Sequence, residues 1–307
     1  MSLKDIKGKI KSVDRTRKVT KAMETVSAVK MRKSQLRAMS GRPYARAALS
    51  LLKRLSVSLE SVKHPLTAKR AVRRAAYIVV TSDKGLCGVL NSAVLRGADR
   101  ELLALGLPHE SVDLYAFGRK AADFFERRGY KLANRFENIS DDVPLDELDA
   151  VTRAVTASFA KGDVDQVQII YTNFKSTFEQ FSVSGTILPL SLETVQAIVD
   201  DILPDKGAFA ERRSEEPSPA SFYTIEPSPE TVLEKLLPRL AGVLLYHALL
   251  ESKASEHSAR MVAMKNASDK SRDLSKSLTR TYNKARQAMI TREVSEIVGG
   301  IEAMATN

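Results

Sequence analysis

Apolar residues near the start of the chain fall at Leu3, Ile6, Ile10, Val13, Val19, Met23 and Val26, mostly three or four positions apart. That period predicts one long helix running from Ser2 towards Gly41. Ser2 and Asp5 have the spacing of a reciprocal capping box, and Gly8 is the only glycine before Gly41. Gly41 and Pro43 predict a bend or break, followed by a second helical stretch from Tyr44 to Val62 that His64-Pro65 ends.

The far end carries the stronger pattern. Val243 through Val298 contains neither glycine nor proline, and 56 residues at a 1.5 Å rise would extend about 84 Å, more than a compact core can bury. Ser228-Pro229 supplies an N-cap and a first helical residue, Pro238 predicts a kink, and Gly299-Gly300 loosens the end. Within this stretch Leu236, Leu240, Val243, His247, Leu250, Ala254, His257, Met261, Met264 and Ser268 alternate in steps of four and three, a heptad seam. The seam then shifts phase and continues through Leu274, Leu278, Tyr282, Ala285 and Met289. Its many small or polar positions point to the other long helix of the same chain as its partner, in antiparallel pairing.

Between the helices the pattern changes. Ala75–Thr81, Ser111–Phe117 and Val164–Tyr171 read as buried strands, alternating with helices over Asn91–Leu105, Lys120–Arg128 and Leu145–Ala160, and Phe181–Leu190 reads as an edge strand. Such alternation predicts a parallel or mostly parallel sheet with helices on its faces. The expected fold is a long antiparallel coiled coil of N- and C-terminal helices with an inserted Rossmann-like α/β domain. Its parts are the N-terminal helical part over 1–74, the α/β domain over 75–205, a proline-rich connection over 206–229 and the C-terminal helix over 230–307.

Charge changes the picture more through its distribution than its total of +11. Residues 1–74 hold 21 Lys and Arg against 4 Asp and Glu, so this segment should seek an acidic partner: nucleic acid, an anionic membrane surface or an acidic protein. Residues 1–43 contain no aromatic side chain for base stacking, which argues against single-strand binding. Cys87 is the single cysteine, which excludes an intramolecular disulfide and suits a reducing compartment. The longest apolar run, Leu240–Leu250, is shorter than the roughly 20 residues that span a bilayer. No leader pattern opens the sequence, so export is not expected.

One segment could carry chemistry. Ser82-Asp83-Lys84-Gly85-Leu86-Cys87-Gly88 follows a predicted strand and precedes a helix, where α/β domains bind phosphate. It matches neither dinucleotide nor P-loop fingerprints, and a glycine is needed at any tight turn of this kind, so the structural reading is preferred. His64, His109, His247 and His257 lack close metal-ligand spacing, and Cys87 reads as an inert buried thiol. A nucleotide-dependent enzyme and a nucleic-acid-binding coiled coil stand as the rival functions.

Several long motifs in order then carry a resemblance. Ile10–Lys33, IKSVDRTRKVTKAMETVSAVKMRK, together with TSDKGLCGVLN, IEPSPETVLEKLLPR, SEHSARMVAMKNA, YNKARQAMI and TREVSEIV, closely resembles the gamma subunit of F-type ATP synthases along essentially the whole chain. The resemblance implies a rotary central shaft with no catalysis and no cofactor of its own. One copy would stand inside a ring of alternating alpha and beta subunits, its foot on the epsilon subunit and a membrane ring of c subunits. The shaft would lie peripherally on the cytoplasmic face of a bacterial inner membrane, without direct membrane insertion and without nucleic acid.

Residue by residue, the resemblance implies beta-subunit contact at Lys21, Met23, Lys30, Arg32 and Lys33, and at Arg286, Gln287, Thr291 and Glu293. It implies an apolar bearing tip at Ile297, Val298, Ile301 and Met304, and a foot near the rotor ring and epsilon subunit at Phe222, Tyr223 and Glu226. Photosynthetic members carry an inserted cysteine pair for redox control. This sequence lacks it, so a dithiol switch is excluded. Arg292 stands where many members have an uncharged residue.

Overall fold

A computed structural model describes residues 2–61, 64–141, 143, 145–191 and 228–305. In chain order the elements are α1 (Leu3–Ser61), β1 (Ala75–Val80), α2 (Leu90–Leu105), β2 (Val112–Phe117), α3 (Arg119–Glu126), β3 (Leu132–Phe136), α4 (Leu145–Lys161), β4 (Gln166–Phe174), β5 (Gln180–Leu188) and α5 (Pro229–Ala305). They form two compact units, residues 28–260 and residues 1–27 with 261–307.

The unit of residues 28–260 is built on a five-stranded sheet in the order β3-β2-β1-β4-β5. The first four strands run parallel and β5 is an antiparallel edge. β1 lies at the centre with all six residues buried, which is why AAYIVV is apolar without alternation. Its two faces feed two cores. Ala76, Ile78 and Val80 pack with Val151, Val155 and Phe159 of α4 and with Leu237, Leu244 and Leu245 of α5. Ala75, Tyr77 and Val79 pack with Val94 and Leu102 of α2 and Phe125 of α3. The predicted strands and helices are present here. β3 was not predicted, because this edge strand half-buries only its two end residues and so has no alternating pattern.

α1 opens on the expected box: Ser2 N–H donates to Asp5 Oδ2 at 3.0 Å and Asp5 N–H to Ser2 Oγ at 3.2 Å. The expected break at Gly41 and Pro43 is absent, and the helix runs through both. A glycine costs about 1 kcal/mol and a proline about 3 in a helix interior, and a helix of this length propagates across such isolated losses.

α5 begins as predicted, with Thr231 N–H donating to Ser228 Oγ and Pro229 as the first helical residue. It continues through Pro238 and Gly299-Gly300. Its first half departs from a simple seam. Leu233, Leu237, Leu240, Ala241, Leu244 and Leu245 belong to the sheet core, and almost every residue from Leu244 to Arg260 is buried. This half therefore covers a sheet face as a core helix, beyond any role in pairing with α1.

In the unit of residues 1–27 and 261–307 the less exposed positions of α1 include a series at Leu3, Ile6, Ile10, Val13, Arg17, Thr20, Glu24 and Ser27, with Asp14 and Met23 half-buried beside it. Those of α5 include a series at Met264, Ser268, Ser271, Ser275, Leu278, Tyr282 and Ala285, with Met261, Val262, Ala263, Ala267 and Asp269 also half-buried. Both series step by four and three without interruption. Two expectations are corrected. Val19, 58% exposed, and Val26 lie outside the α1 seam, where Thr20 and Ser27 take the inside. The α5 seam does not shift phase: Leu274 and Met289 are exposed, and Ser271 and Ser275 hold the register. These positions share one face of each helix by their angle about its axis, a face set here by small hydroxyl side chains as well as apolar ones. Thr20 satisfies its hydroxyl inside α1, donating to Thr16 O at 3.0 Å.

Candidate functional site

The turn after β1 was the strongest chemical candidate, and its hydrogen bonds run against phosphate binding. Ser82 N–H is taken by Asn91 Oδ1 at 3.0 Å, and Ser82 Oγ donates to Lys84 O at 2.6 Å. Asp83 accepts Arg119 N–H on Oδ1 and Asn138 N–H on Oδ2, each at 3.0 Å, so a carboxylate sits at the N-terminus of α3. The carbonyls of Lys84 and Gly85 face the Arg260 guanidinium of α5 at 3.3 and 3.4 Å. A phosphate cradle offers donors, whereas this turn offers acceptors and a negative charge to a cation. Cys87 is buried beside Asn91 Nδ2 and Ser82 Oγ.

α5 closes the rest of the crevice at the carboxyl ends of β1 and β2. Leu249, Ser252, Lys253 and Glu256 line it, leaving about 10 Å³, room for roughly one water. Arg260 also donates to Glu256 at 2.7 Å, and Lys253 Nζ donates to Ile139 O at 3.0 Å. The nucleotide reading loses its site to this helix.

The loop between β3 and α4 supplies a junction that sequence reasoning missed. Asp141 Oδ2 lies 2.9 Å from Lys30 Nζ of α1, and its Oδ1 lies 2.8 Å from His257 Nε2 of α5. Arg37 Nη1 of α1 donates to Asp141 O at 3.1 Å. His257 is buried, its Nδ1 has no hydrogen-bond partner among the described residues, and Nε2 carries the proton because the ionised carboxylate it meets can only accept. Burial alone would raise the Asp141 carboxyl, but hydrogen bonds and charge from Lys30 and His257 hold it down at about 2. Burial pushes the His257 imidazole below its usual value, and the bond to Asp141 offsets this only in part. No local pattern marks Asp141 in the sequence, because all three partners are distant in the chain.

The other histidines have structural partners. His64 Nδ1 accepts from Leu66 N–H at the start of a short 3-10 turn, and His109 stacks on Tyr130 with ring centres 3.9 Å apart. His247 lies 3.6 Å from Glu251, and Glu251 accepts Phe174 N–H at 2.8 Å.

The residues singled out for partner contact lie along both helices. On α1, Lys21 is exposed and bonded to both oxygens of Glu24, Met23 is half-buried, and Arg32 and Lys33 are exposed. Lys30 differs in being bonded to Asp141. On α5, Arg286, Gln287, Thr291 and Glu293 are exposed, and Arg292 pairs with Glu296 at 2.8 Å. Ile297, Val298 and Ile301 are exposed large apolar residues, 62% in the case of Ile297 and Ile301, and Met304 lies in the last helical turns. Phe222, Tyr223 and Glu226, with residues 206–227 of the connection, lie outside the described residues. Among the described residues no helix is long and apolar enough to cross a membrane.

A family model described as ATP synthase matches residues 2–304. The chain is 37% identical over 302 residues to the ATP synthase gamma chain of Heliobacterium modesticaldum, covering 98% of this chain and 99% of that one. It is 40% identical over 301 residues to the ATP synthase gamma chain of Cupriavidus necator, with the same coverage. Among solved structures, it is similar to a chain of the Tetrahymena thermophila mitochondrial ATP synthase central stalk and c-ring, with a TM-score of 0.58 and 26% identity over 81% of this chain and 99% of that one. A chain of the Euglena gracilis mitochondrial ATP synthase shares the fold, with a TM-score of 0.64 and 20% identity over 98% and 94% of the two chains.

Proposed function

Because this chain belongs to the ATP synthase gamma-chain family, we infer that its two terminal helices pair as an antiparallel coiled coil that turns inside a ring of alpha and beta subunits. The protein is the rotor shaft of an F-type ATP synthase, a non-catalytic subunit of a complex that makes ATP. The single observation that supports this mechanism is a series of less exposed positions stepping by four and three on both long helices, with Ser275 of α5 bonded to Asp14 of α1. Two helices paired along such a series would resist twisting relative to each other, as a torque-bearing element must.

Rotation drives chemistry elsewhere only if each angle of the shaft stabilises a different state of the ring through different contacts. In this reading Lys21, Met23, Lys30, Arg32 and Lys33 meet acidic beta-subunit loops, with Lys30 shared with Asp141. Arg286, Gln287, Thr291 and Glu293 meet a catalytic subunit further along. Ile297, Val298, Ile301 and Met304 form the tip that turns in an apolar sleeve, where non-directional contact permits rotation. The exposure of Lys21, Arg32, Lys33, Arg286 and Ile297 supports these roles. Phe222, Tyr223 and Glu226 belong to the foot, which meets the epsilon subunit and the c-ring. The segments proposed above divide the labour, with 1–74 and 230–307 as shaft, 75–205 as the α/β domain and 206–229 as the connection. One copy serves each complex, on the cytoplasmic face of a bacterial inner membrane, a location supported by the bacterial relatives.

Affinity capture of the tagged chain from native membranes should recover alpha and beta subunits in excess over the bait. A probe attached to the chain should turn when the captured assembly hydrolyses ATP. Recovery of the chain without either subunit overturns the reading.

A further inference from the structure

Asp141 bonds two helices that are far apart in sequence with the two oxygens of one carboxylate: Lys30 of α1 on Oδ2 and His257 of α5 on Oδ1. The same residue takes a third bond from α1, Arg37 Nη1 to its carbonyl. Its loop is itself braced. Asn138 N–H is held by Asp83 from the β1 turn, and Ile139 O is held by Lys253 from α5. Asp83 also caps α3 through Arg119 N–H. The charged groups bonded to this loop are therefore Lys30 and Arg37 from α1, Asp83 from the β1 turn and Lys253 and His257 from α5, with Glu256 and Arg260 beside His257.

The two helices are held on the α/β domain by different means. α5 packs a broad apolar face into the sheet core through Leu237, Leu244 and Leu245 and adds directional bonds of its own to the domain, with Glu251 accepting Phe174 N–H, Ser255 donating to Thr172 O and Arg260 donating to the carbonyls of Lys84 and Gly85. Charge-assisted hydrogen bonds are directional and fix angle as well as distance. Asp141 supplies such bonds to α1 and α5 at the same level, and His257 is buried enough to hold its ring in one orientation.

We propose that Asp141 is the positioning residue that locks α1 rotationally to α5 and to the α/β domain, so that load entering the domain turns both helices together. This rests on the rotor-shaft reading and names the joint through which torque passes from the domain into the shaft. It assigns no role in contact with the ring to Asp141, which acts through Lys30, Arg37 and His257.

The test uses the complete reconstituted complex carrying Asp141→Ala, Asp141→Asn, Asp141→Glu or Lys30→Met. Hydrogen exchange in the assembled complex should be roughly tenfold faster over residues 28–37 in Asp141→Ala, the scale expected for loss of a charge-assisted pair, with a smaller rise over 253–260, where Lys253, Ser255 and Arg260 keep their bonds to the domain. Proton pumping per ATP hydrolysed should fall in Asp141→Ala and Asp141→Asn and recover in Asp141→Glu, which a merely space-filling residue would not reproduce. Lys30→Met cuts one arm, so exchange should rise over residues 28–37 and stay unchanged over 253–260. It also reads the α1 arm if Asp141→Ala fails to assemble. Unchanged exchange over 28–37 in Lys30→Met, or parental pumping efficiency in Asp141→Asn, overturns the clasp. Failure of the parent chain to assemble or rotate overturns the shaft reading instead.

Discussion

Ser275 Oγ on α5 donates a 3.1 Å hydrogen bond to Asp14 Oδ1 on α1, which brings the two chain ends together across 261 positions of sequence. The serine is small enough to sit in the seam, and its hydroxyl finds a charged acceptor there. Ser275→Ala should cost about 0.5–1.5 kcal/mol, the worth of one hydrogen bond, while Ser275→Leu should cost about 1–3 through overpacking. Urea unfolding of the two variants checks this. Equal, negligible costs would mean that the helices are not in close contact at this level.

That relationship also marks the limit of what periodicity reveals. Leu3, Ile6, Ile10 and Val13 set the correct face of α1, and following apolar residues from there leads to Val19 and Val26, which point outward. The buried continuation is Thr20 and Ser27, whose small hydroxyl side chains carry no hydrophobic signal. The same substitution of size for hydrophobicity hid Ser271 and Ser275 on α5 and suggested a phase shift at Leu274. By contrast β1, buried on both faces, was legible from its apolar run alone. The partner-contact residues were legible only through family resemblance, and Asp141 through neither route, since its partners Lys30 and His257 lie 111 and 116 positions away.

Arg260 is buried and serves the carbonyls of Lys84 and Gly85 together with Glu256. Arg260→Met keeps much of the volume and leaves Glu256 with Lys253 at 3.9 Å as its remaining cation. The expected cost is about 2–4 kcal/mol, because a buried carboxylate loses its strongest partner. Arg260→Met with Glu256→Gln should recover part of it. A double-mutant cycle by chemical denaturation measures the coupling, and a value near zero would refute the pairing.

Gly118 joins β2 to α3 at φ +92°, a conformation that side chains rarely adopt, and a Cβ there would run into the backbone carbonyl of Thr81. Thr81 cannot retreat, because its N–H donates to Phe117 O at 2.7 Å and its Oγ1 accepts Ala121 N–H at 2.9 Å. Gly118→Ala should therefore destabilise the α/β unit by about 2–4 kcal/mol, combining steric overlap with backbone strain. Gly8→Ala on the open face of α1 should do the reverse, gaining about 1 kcal/mol of helix propensity. Thermal unfolding of the two variants should shift in opposite directions.

The Asp141 and His257 pair predicts two separate acid-dependent losses of stability. His257 titrates lower in the folded protein than its ordinary value near 6.5, so the unfolded chain binds the extra proton first. Its contribution is complete above pH about 6.5 and declines as pH falls below that value. Asp141 is held at about 2 when folded, against about 3.9 when unfolded, so its contribution is complete above pH about 4 and is lost as pH falls towards 2. With the Asp141 side chain 26% exposed, that second loss should be about 1–2 kcal/mol after solvent screening. His257→Gln should flatten the slope just below pH 6.5 and also narrow the lower window, because it removes the His257 charge that helps Lys30 hold the Asp141 carboxyl down. Asp141→Asn should abolish the lower window, and by removing the negative charge beside His257 it should extend the upper decline to lower pH. Urea midpoints measured across pH 7 to 3 for parent and variants decide this: identical slopes in all three proteins would show that neither group changes its proton affinity on folding.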